Sequence, residues 1–175
     1  MSHTPVGKLW TMRAGFALLV LGVIFANLLP LQTTPQSWTG PDLVMALACA
    51  WSLRRPDYVP FWGLAGLFLL ADLLLGRPPG LWAALMLIGC KSLQSRSRFL
   101  RNGGFLAEWI AMAVVAIFVL LAYRLGLALV LLDQPSLRLH IYETLATITV
   151  YPLVAGISHM MIGGHTGFAP ARGAQ

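Results

Sequence analysis

Apolar residues occur in six runs along the chain, separated by short polar or proline- and glycine-rich segments. The runs cover residues 12–31, 42–53, 59–75, 81–93, 105–132 and 139–162. About 20 predominantly apolar residues are needed for a helix to cross the ~30 Å hydrocarbon core of a bilayer. The pattern therefore predicts an all-α, polytopic membrane bundle of about six transmembrane helices. We expect a single integral membrane domain over residues 1–175, with a disordered tail at 163–175.

Two of the six runs are short for a membrane span. As a helix, the run 42–53 would extend only about 18 Å, and the run 81–93 little more. Short helices occur around mid-membrane cavities in transporters built from repeats, and also in tilted bundles that thin the bilayer locally. Both interpretations stay open, as does whether these two runs cross the bilayer completely.

The composition agrees with a membrane protein. The 175 residues are 58% hydrophobic and 10% charged, whereas soluble domains carry about 25% charged residues. The net charge is +6, which in a soluble protein could indicate nucleic-acid binding. Basic residues also accumulate in the cytoplasmic loops of membrane proteins, next to anionic lipid. We therefore expect membrane lipids, and no nucleic acid, among the partners.

The basic residues are distributed unevenly between alternate loops. If the N-terminus is cytoplasmic, nine of the twelve lysines and arginines fall in cytoplasmic segments, two in outer segments and one within the fifth run. This positive-inside bias predicts that both the N-terminus and the C-terminus lie in the cytoplasm.

Ionisable residues inside the runs gather in the outer half of the predicted bundle. Asp72, Arg124 and Glu143 lie there, and Asn27 at the same depth could join them. A guanidinium presents five donors in a fixed fork, so Arg124 could satisfy two carboxylates. The cluster could be an ion pair that fixes helix register, or a ligand or partner site. Alternatively, Arg124 could extend towards the headgroups.

A basic segment follows the fourth run. It carries Lys91, Arg96, Arg98 and Arg101, interleaved with apolar residues. It could form a juxtamembrane helix on anionic lipid, dock an acidic cytoplasmic protein, or serve only to set the orientation of the chain. Glu108, near the inner interface, could reach water or Arg101.

Motifs for catalysis are absent from the sequence. The four histidines are scattered, and there is no HExxH, GxSxG or Walker pattern. We therefore expect a protein that is not an enzyme and that holds no metal or cofactor.

The stretch from Leu53 to Gly80 resembles the rod shape-determining protein MreD family of bacteria. The resemblance rests on the Arg-Pro-Asp loop, on Gly63 and Asp72, and on an Arg-Pro-Pro-Gly turn. Further similar segments are Leu29-Pro30-Leu31, Gly40-Pro41-Asp42-Leu43 and Val150-Tyr151-Pro152-Leu153. The structural or partner-contact positions that the resemblance assigns are Arg54, Arg55, Pro56, Asp57, Arg77, Pro78, Pro79 and Gly80.

The resemblance implies a non-enzymatic subunit of the cell elongation (Rod) complex, or elongasome, in the bacterial inner membrane. Such a subunit associates with the bitopic protein MreC. Through it, MreB filaments are linked directly or indirectly to peptidoglycan synthesis by RodA and a class B penicillin-binding protein, which maintains rod shape. The resemblance also implies a six-helix fold similar to the S components of energy-coupling factor transporters. The alternative function is therefore a small-molecule-binding subunit of a transporter.

Overall fold

The computed structural model of the protein describes residues 6–29, 40–131 and 136–163. These residues form six α-helices and one 3₁₀ turn, and they contain no β-strand, so the all-α prediction is confirmed. The helices are α1 (Val6–Leu28), α2 (Leu43–Arg54), α3 (Phe61–Leu74), α4 (Leu81–Asn102), α5 (Gly104–Leu129) and α6 (Leu137–Gly163), and the 3₁₀ turn is Pro56–Tyr58. The predicted tail lies outside the described residues, apart from Gly163.

Three helices are long and apolar enough to cross a membrane. They are Leu9–Leu28 within α1, Gly104–Leu129, and Leu137–Met160 within α6. Large apolar side chains cover the outside of the bundle, including Leu18, Trp62 and Leu121. Soluble monomers rarely expose apolar patches larger than a few hundred Å². The chain is therefore a membrane protein.

The fourth helix is longer than its apolar run. It has 22 residues rather than 13, because the basic segment continues it as regular helix to Asn102. The buried positions Trp82, Met86, Cys90, Leu93 and Ser97 recur every three to four residues. This spacing keeps one face of the helix against the bundle, while the basic residues lie on its exposed side. The apolar run 81–93 is thus the first part of a longer helix, and the basic segment is helical, as one of its three interpretations allowed.

Helix α2 lies at the centre of the bundle, in contact with α1, α4, α5 and α6. It has only 12 residues, and nine of them are buried. A helix that is apolar all round is a buried helix, and Ala46, Ala48 and Ala50 allow the neighbouring helices to approach closely. Because the other helices enclose it, α2 presents little surface that would have to match the thickness of the bilayer.

A ring contact joins α1 to α2, and an indole hydrogen bond joins α5 to α6. Phe16 of α1 packs on Trp51 with 5.2 Å between ring centroids. On the α5–α6 side, the Trp109 indole N–H donates to the carbonyl oxygen of Ile148 at 2.9 Å. These contacts tie the long helices to one another around the short central one.

The α4–α5 contact gives a test of the packing. A Cβ on Gly89 would lie 2.6 Å from Val115 Cγ1. We expect Gly89→Ala to lower the free energy of unfolding by about 1–3 kcal/mol through overpacking, and Val115→Ala in the same chain to recover part of this loss. Thermal unfolding in detergent measures both effects.

Gly66 of α3 provides the matched control, because a Cβ at that position meets no atom within 4 Å. Gly66→Ala should leave the melting temperature unchanged or slightly raised. Equal losses for Gly66→Ala and Gly89→Ala would contradict the proposed close contact.

Candidate functional site

The helices alternate in direction, so each end of the bundle combines the starts of three helices with the ends of the other three. Helices α2, α4 and α6 begin where α1, α3 and α5 end. We call this end of the bundle the Arg77 end, because Arg77 contacts residues of several helices there. The opposite end, where α2 and α4 finish and α5 begins, is the Arg54 end.

Asp72 caps α4 from the end of α3. Its side chain is buried, and its Oδ2 accepts hydrogen bonds from the backbone N–H groups of Gly80 (2.9 Å) and Ala83 (3.1 Å). The first N–H groups of a helix have no partner within the helix, and they favour negative charge. Asp72, on the neighbouring helix α3, therefore provides the hydrogen-bond acceptor that an N-cap side chain of α4 itself would ordinarily provide.

The Arg-Pro-Pro-Gly turn holds Asp72 in this position. Gly76 adopts a left-handed conformation (φ +65°), and the Arg77 N–H donates to the Asp72 carbonyl oxygen at 3.0 Å, as in a Schellman helix end. Gly80, at the N-cap of α4, is also left-handed (φ +89°), a conformation that costs glycine little. The two glycines let the chain reverse direction within a few residues.

Arg77 leaves this turn to bridge two carboxylates on other helices. Its Nη1 lies 3.7 Å from Asp42 Oδ2, and its Nη2 lies 3.8 Å from Glu143 Oε1. The guanidinium carbon also lies 4.9 Å from the centroid of the Trp82 ring, in cation–π contact. One side chain thereby joins the α3–α4 turn to the starts of α2 and α6.

Asp42 completes the network. Its Oδ1 accepts from the Met45 N–H at 2.9 Å and caps α2, while its own N–H donates to Thr147 Oγ1 at 2.8 Å. Thr147 Oγ1 in turn donates to the Glu143 carbonyl oxygen at 2.7 Å. The polar network of the Arg77 end, comprising Asp42, Asp72, Arg77, Glu143 and Thr147, therefore links four helices.

A cavity of about 150 Å³ opens beside this network. Its polar lining consists of Asp42, Arg77, Tyr123, His140, Glu143, Thr144 and Thr147. Apolar side chains of α5 close the other side. Apolar walls with a few convergent polar groups are typical of small-molecule sites, but such sites usually measure about 300–1,000 Å³, so this cavity fits only a small ligand. In the described part of the chain, no group of three or more His, Cys, Asp or Glu residues is placed to hold a metal ion.

The predicted polar cluster differs from the observed one in its cation. The structure brings Glu143 to Arg77, and the salt bridges of the described residues do not join Arg124 to Asp72 or Glu143. Asp72 faces the start of α4 and not an arginine side chain of α5. Asn27 is exposed at the end of α1. Arg77 replaces Arg124 because the turn that carries it folds back over the bundle.

The cluster expected from the sequence did not include Asp42, Thr147, Tyr123 or His140. The order and direction of the helices is the sequence signal that could have brought Asp42 into the cluster. Asp42 opens α2 and Arg77 precedes α4, so alternating helices put both residues at the same end of the bundle. The approach of Thr147 to the start of α2 depends on helix packing, which the sequence does not display.

The Arg54 end has its own ion pair. Arg54 Nη2 lies 3.4 Å from Glu108 Oε2, and Arg101 Nη1 donates to the Arg54 carbonyl oxygen at 3.0 Å. Glu108 therefore pairs with Arg54, whereas Arg101, which the sequence offered beside water as a partner of Glu108, binds the C-terminal carbonyl of α2. Arg13 of α1 donates to the Asp57 carbonyl oxygen at 3.2 Å.

The remaining residues assigned from the sequence are more exposed. Arg55 lies over the Tyr58 ring at 5.9 Å, and Pro56 opens the 3₁₀ turn. Lys91, Arg96 and Arg98 are exposed along α4. The sequence motif from Arg54 to Asp57 thus connects α2 to α3 at one end of the bundle, and the Arg-Pro-Pro-Gly turn connects α3 to α4 at the other.

Comparison with known proteins identifies no family for this chain. No family model matches it, and neither the curated proteins nor the solved structures contain a match.

The Asp72 cap can be tested by two substitutions of the same residue. Asp72→Ala removes the acceptor and leaves two N–H groups without a partner, so we expect a loss of about 1–3 kcal/mol in the free energy of unfolding. Asp72→Asn keeps an oxygen at the same position and should lose less than half as much. Thermal unfolding in detergent distinguishes them, and equal losses would mean that the acceptor oxygen is not what matters.

The Arg77 bridge makes a second prediction. Arg77→Gln leaves Asp42 and Glu143 close together without a cation, and we expect a loss of about 1–3 kcal/mol, less than for a fully buried pair because a quarter of the Arg77 side chain is exposed. Adding Asp42→Asn and Glu143→Gln should restore part of the stability. The matched control is Arg138→Gln, on an exposed arginine of α6. A control loss as large as that of Arg77→Gln would refute the bridge.

Proposed function

We propose that the chain is a non-enzymatic membrane subunit of the bacterial cell elongation complex, as its resemblance to the MreD family implies. The observation that carries the proposal is that several residues of the resemblance bond to one another. Asp42 lies in one segment of the resemblance, and Asp72 with the Arg-Pro-Pro-Gly turn lies in another, yet they meet in one network. Shared apolar composition would not by itself place these residues in mutual contact.

The network's bonds are directed at helix ends, so the function that we assign to it is to hold the bundle rigid. The working surface is then the outer face of α3. Trp62, Gly66, Leu69 and Leu73 are exposed there, and a Cβ on Gly66 would meet open space. Small residues between large apolar ones allow close approach of another transmembrane helix, such as that of an MreC-like bitopic protein.

We further propose six spans in the bacterial inner membrane, with both termini in the cytoplasm. The Arg54 end carries most of the basic side chains of the described residues, and the positive-inside rule favours that end for the cytoplasm. In this orientation the Arg77 end faces outward. Contact with RodA, with the class B penicillin-binding protein and with MreB-like filaments would then be direct or through the bitopic partner.

The cavity at the Arg77 end supports a second candidate function. It is lined by two carboxylates, one arginine and a histidine, and it opens beside a short central helix. A small-molecule-binding transporter subunit, similar to the S components of energy-coupling factor transporters, would use such a cavity as its substrate site.

Purification in mild detergent tests the first candidate. We expect a bitopic cell-shape protein to co-purify with the tagged chain, and Gly66→Leu to reduce its recovery several-fold by blocking the α3 face. Gly22→Leu, at an open position on α1, is the matched control. Co-purification of an ATPase module, or retention of a small-molecule ligand, would favour the transporter subunit instead. Depletion that leaves rod-shaped cells unchanged would contradict the morphogenetic function.

A further inference from the structure

Two apolar grooves lie on either side of α4, towards the Arg54 end. The groove between α3 and α4 has a volume of about 490 Å³, and the groove between α4 and α5 has a volume of about 370 Å³. Both include Ser92, so they flank a single exposed ridge of the helix. They are separate from the cavity at the Arg77 end.

The two grooves repeat one chemical pattern. Ala84, Leu87 and Ile88 wall the first, and Lys91 lies next to them, about 5–10 Å further along the helix axis. Ile110, Ala111 and Val114 of α5 wall the second, where Arg96 of α4 is the basic residue. Each groove thus combines an apolar channel with serine and one exposed basic side chain.

Charge at this end of the bundle favours an anionic occupant. Glu108 is paired with Arg54. Asp57 is the other carboxylate at this end of the described residues. The basic side chains at the same end are Arg13, Arg54, Arg55, Lys91, Arg96, Arg98 and Arg101. Lys91 and Arg96 are the two that line the grooves, and a phosphate bound there would be compensated locally.

We propose that α4 carries a binding site for anionic phospholipid, in which acyl chains occupy the two grooves and Lys91 and Arg96 bind the headgroup phosphate. The apolar walls match hydrocarbon, and the basic residues lie towards the membrane surface, where headgroups reside. The site does not depend on which complex the chain belongs to. It also differs from general attraction of a basic segment to lipid, because the grooves select Lys91 and Arg96 from among the exposed basic residues of α4.

Native mass spectrometry of the full-length chain, with phosphatidylglycerol or phosphatidylcholine added, tests the site. We expect tighter retention of phosphatidylglycerol. The double variant Lys91→Gln/Arg96→Gln should bind it about 30-fold more weakly, since each basic residue near the membrane surface contributes about a factor of five. Arg98→Gln, an exposed position on the same helix outside both grooves, is the matched control and should change retention less than either single variant of Lys91 or Arg96.

A second variant tests the acyl-chain channel without altering charge. Ala84→Phe fills the groove between α3 and α4 and should also lower phosphatidylglycerol retention, whereas Ala128→Phe, exposed near the other end of α5, should not. Equal retention of both lipids, or an equal effect of Arg98→Gln, would overturn the proposal in favour of diffuse attraction. Photo-crosslinking from Lys91 and Ala84 positions to an acidic protein rather than to lipid would overturn it in favour of a protein partner.

Discussion

Helices α2 and α4 begin at the Arg77 end, where their first N–H groups are shielded by the surrounding helices. In the hydrocarbon region a backbone polar group without a partner costs several kcal/mol, because water is not there to replace the missing bond. Asp42 meets this requirement for α2 and Asp72 meets it for α4. Since both caps carry negative charge, they create a second requirement for a nearby cation. The Arg77 guanidinium supplies this cation at Asp42. At Asp72, Arg77 contributes its backbone N–H, which donates to the Asp72 carbonyl oxygen and closes the turn.

The same constraint explains why the polar network and the cavity occur together. The central helix α2 has only 12 residues and is shorter than the helices that enclose it. The cavity lies beside its first turn. The side chains that border this space are those that complete the helix ends. The same arrangement is therefore compatible with both candidate functions, a rigid scaffold and a small-molecule binder. Capture of a partner distinguishes these two candidates, whereas the geometry of the network does not.

Charged side chains are paired differently at the two ends of the bundle. At the Arg77 end, one arginine is shared between two acids on different helices. At the Arg54 end, basic residues exceed carboxylates, and Arg101 binds a backbone carbonyl at the end of α2, where positive charge is favoured. Of the other basic residues of α4, Lys91 and Arg96 line apolar grooves, and Arg98 is exposed outside them. This asymmetry gives one end a closed network and the other an open, cationic surface.

Hydropathy by itself determined that the chain is helical and membrane-embedded. Placing polar groups in hydrocarbon is costly, so segments that lie there are long, apolar and helical. Hydropathy also located most helix boundaries within a few residues. A helical basic segment was one of several interpretations of the sequence, because the amphipathic spacing from Met86 to Ser97 becomes decisive only when the buried face has a neighbour. The tertiary structure alone decided that Arg77, and not Arg124, bridges Asp42 and Glu143. That choice depends on two left-handed glycines that turn the Arg77 side chain back over α2, and on the packing of α6 that brings Glu143 within its reach.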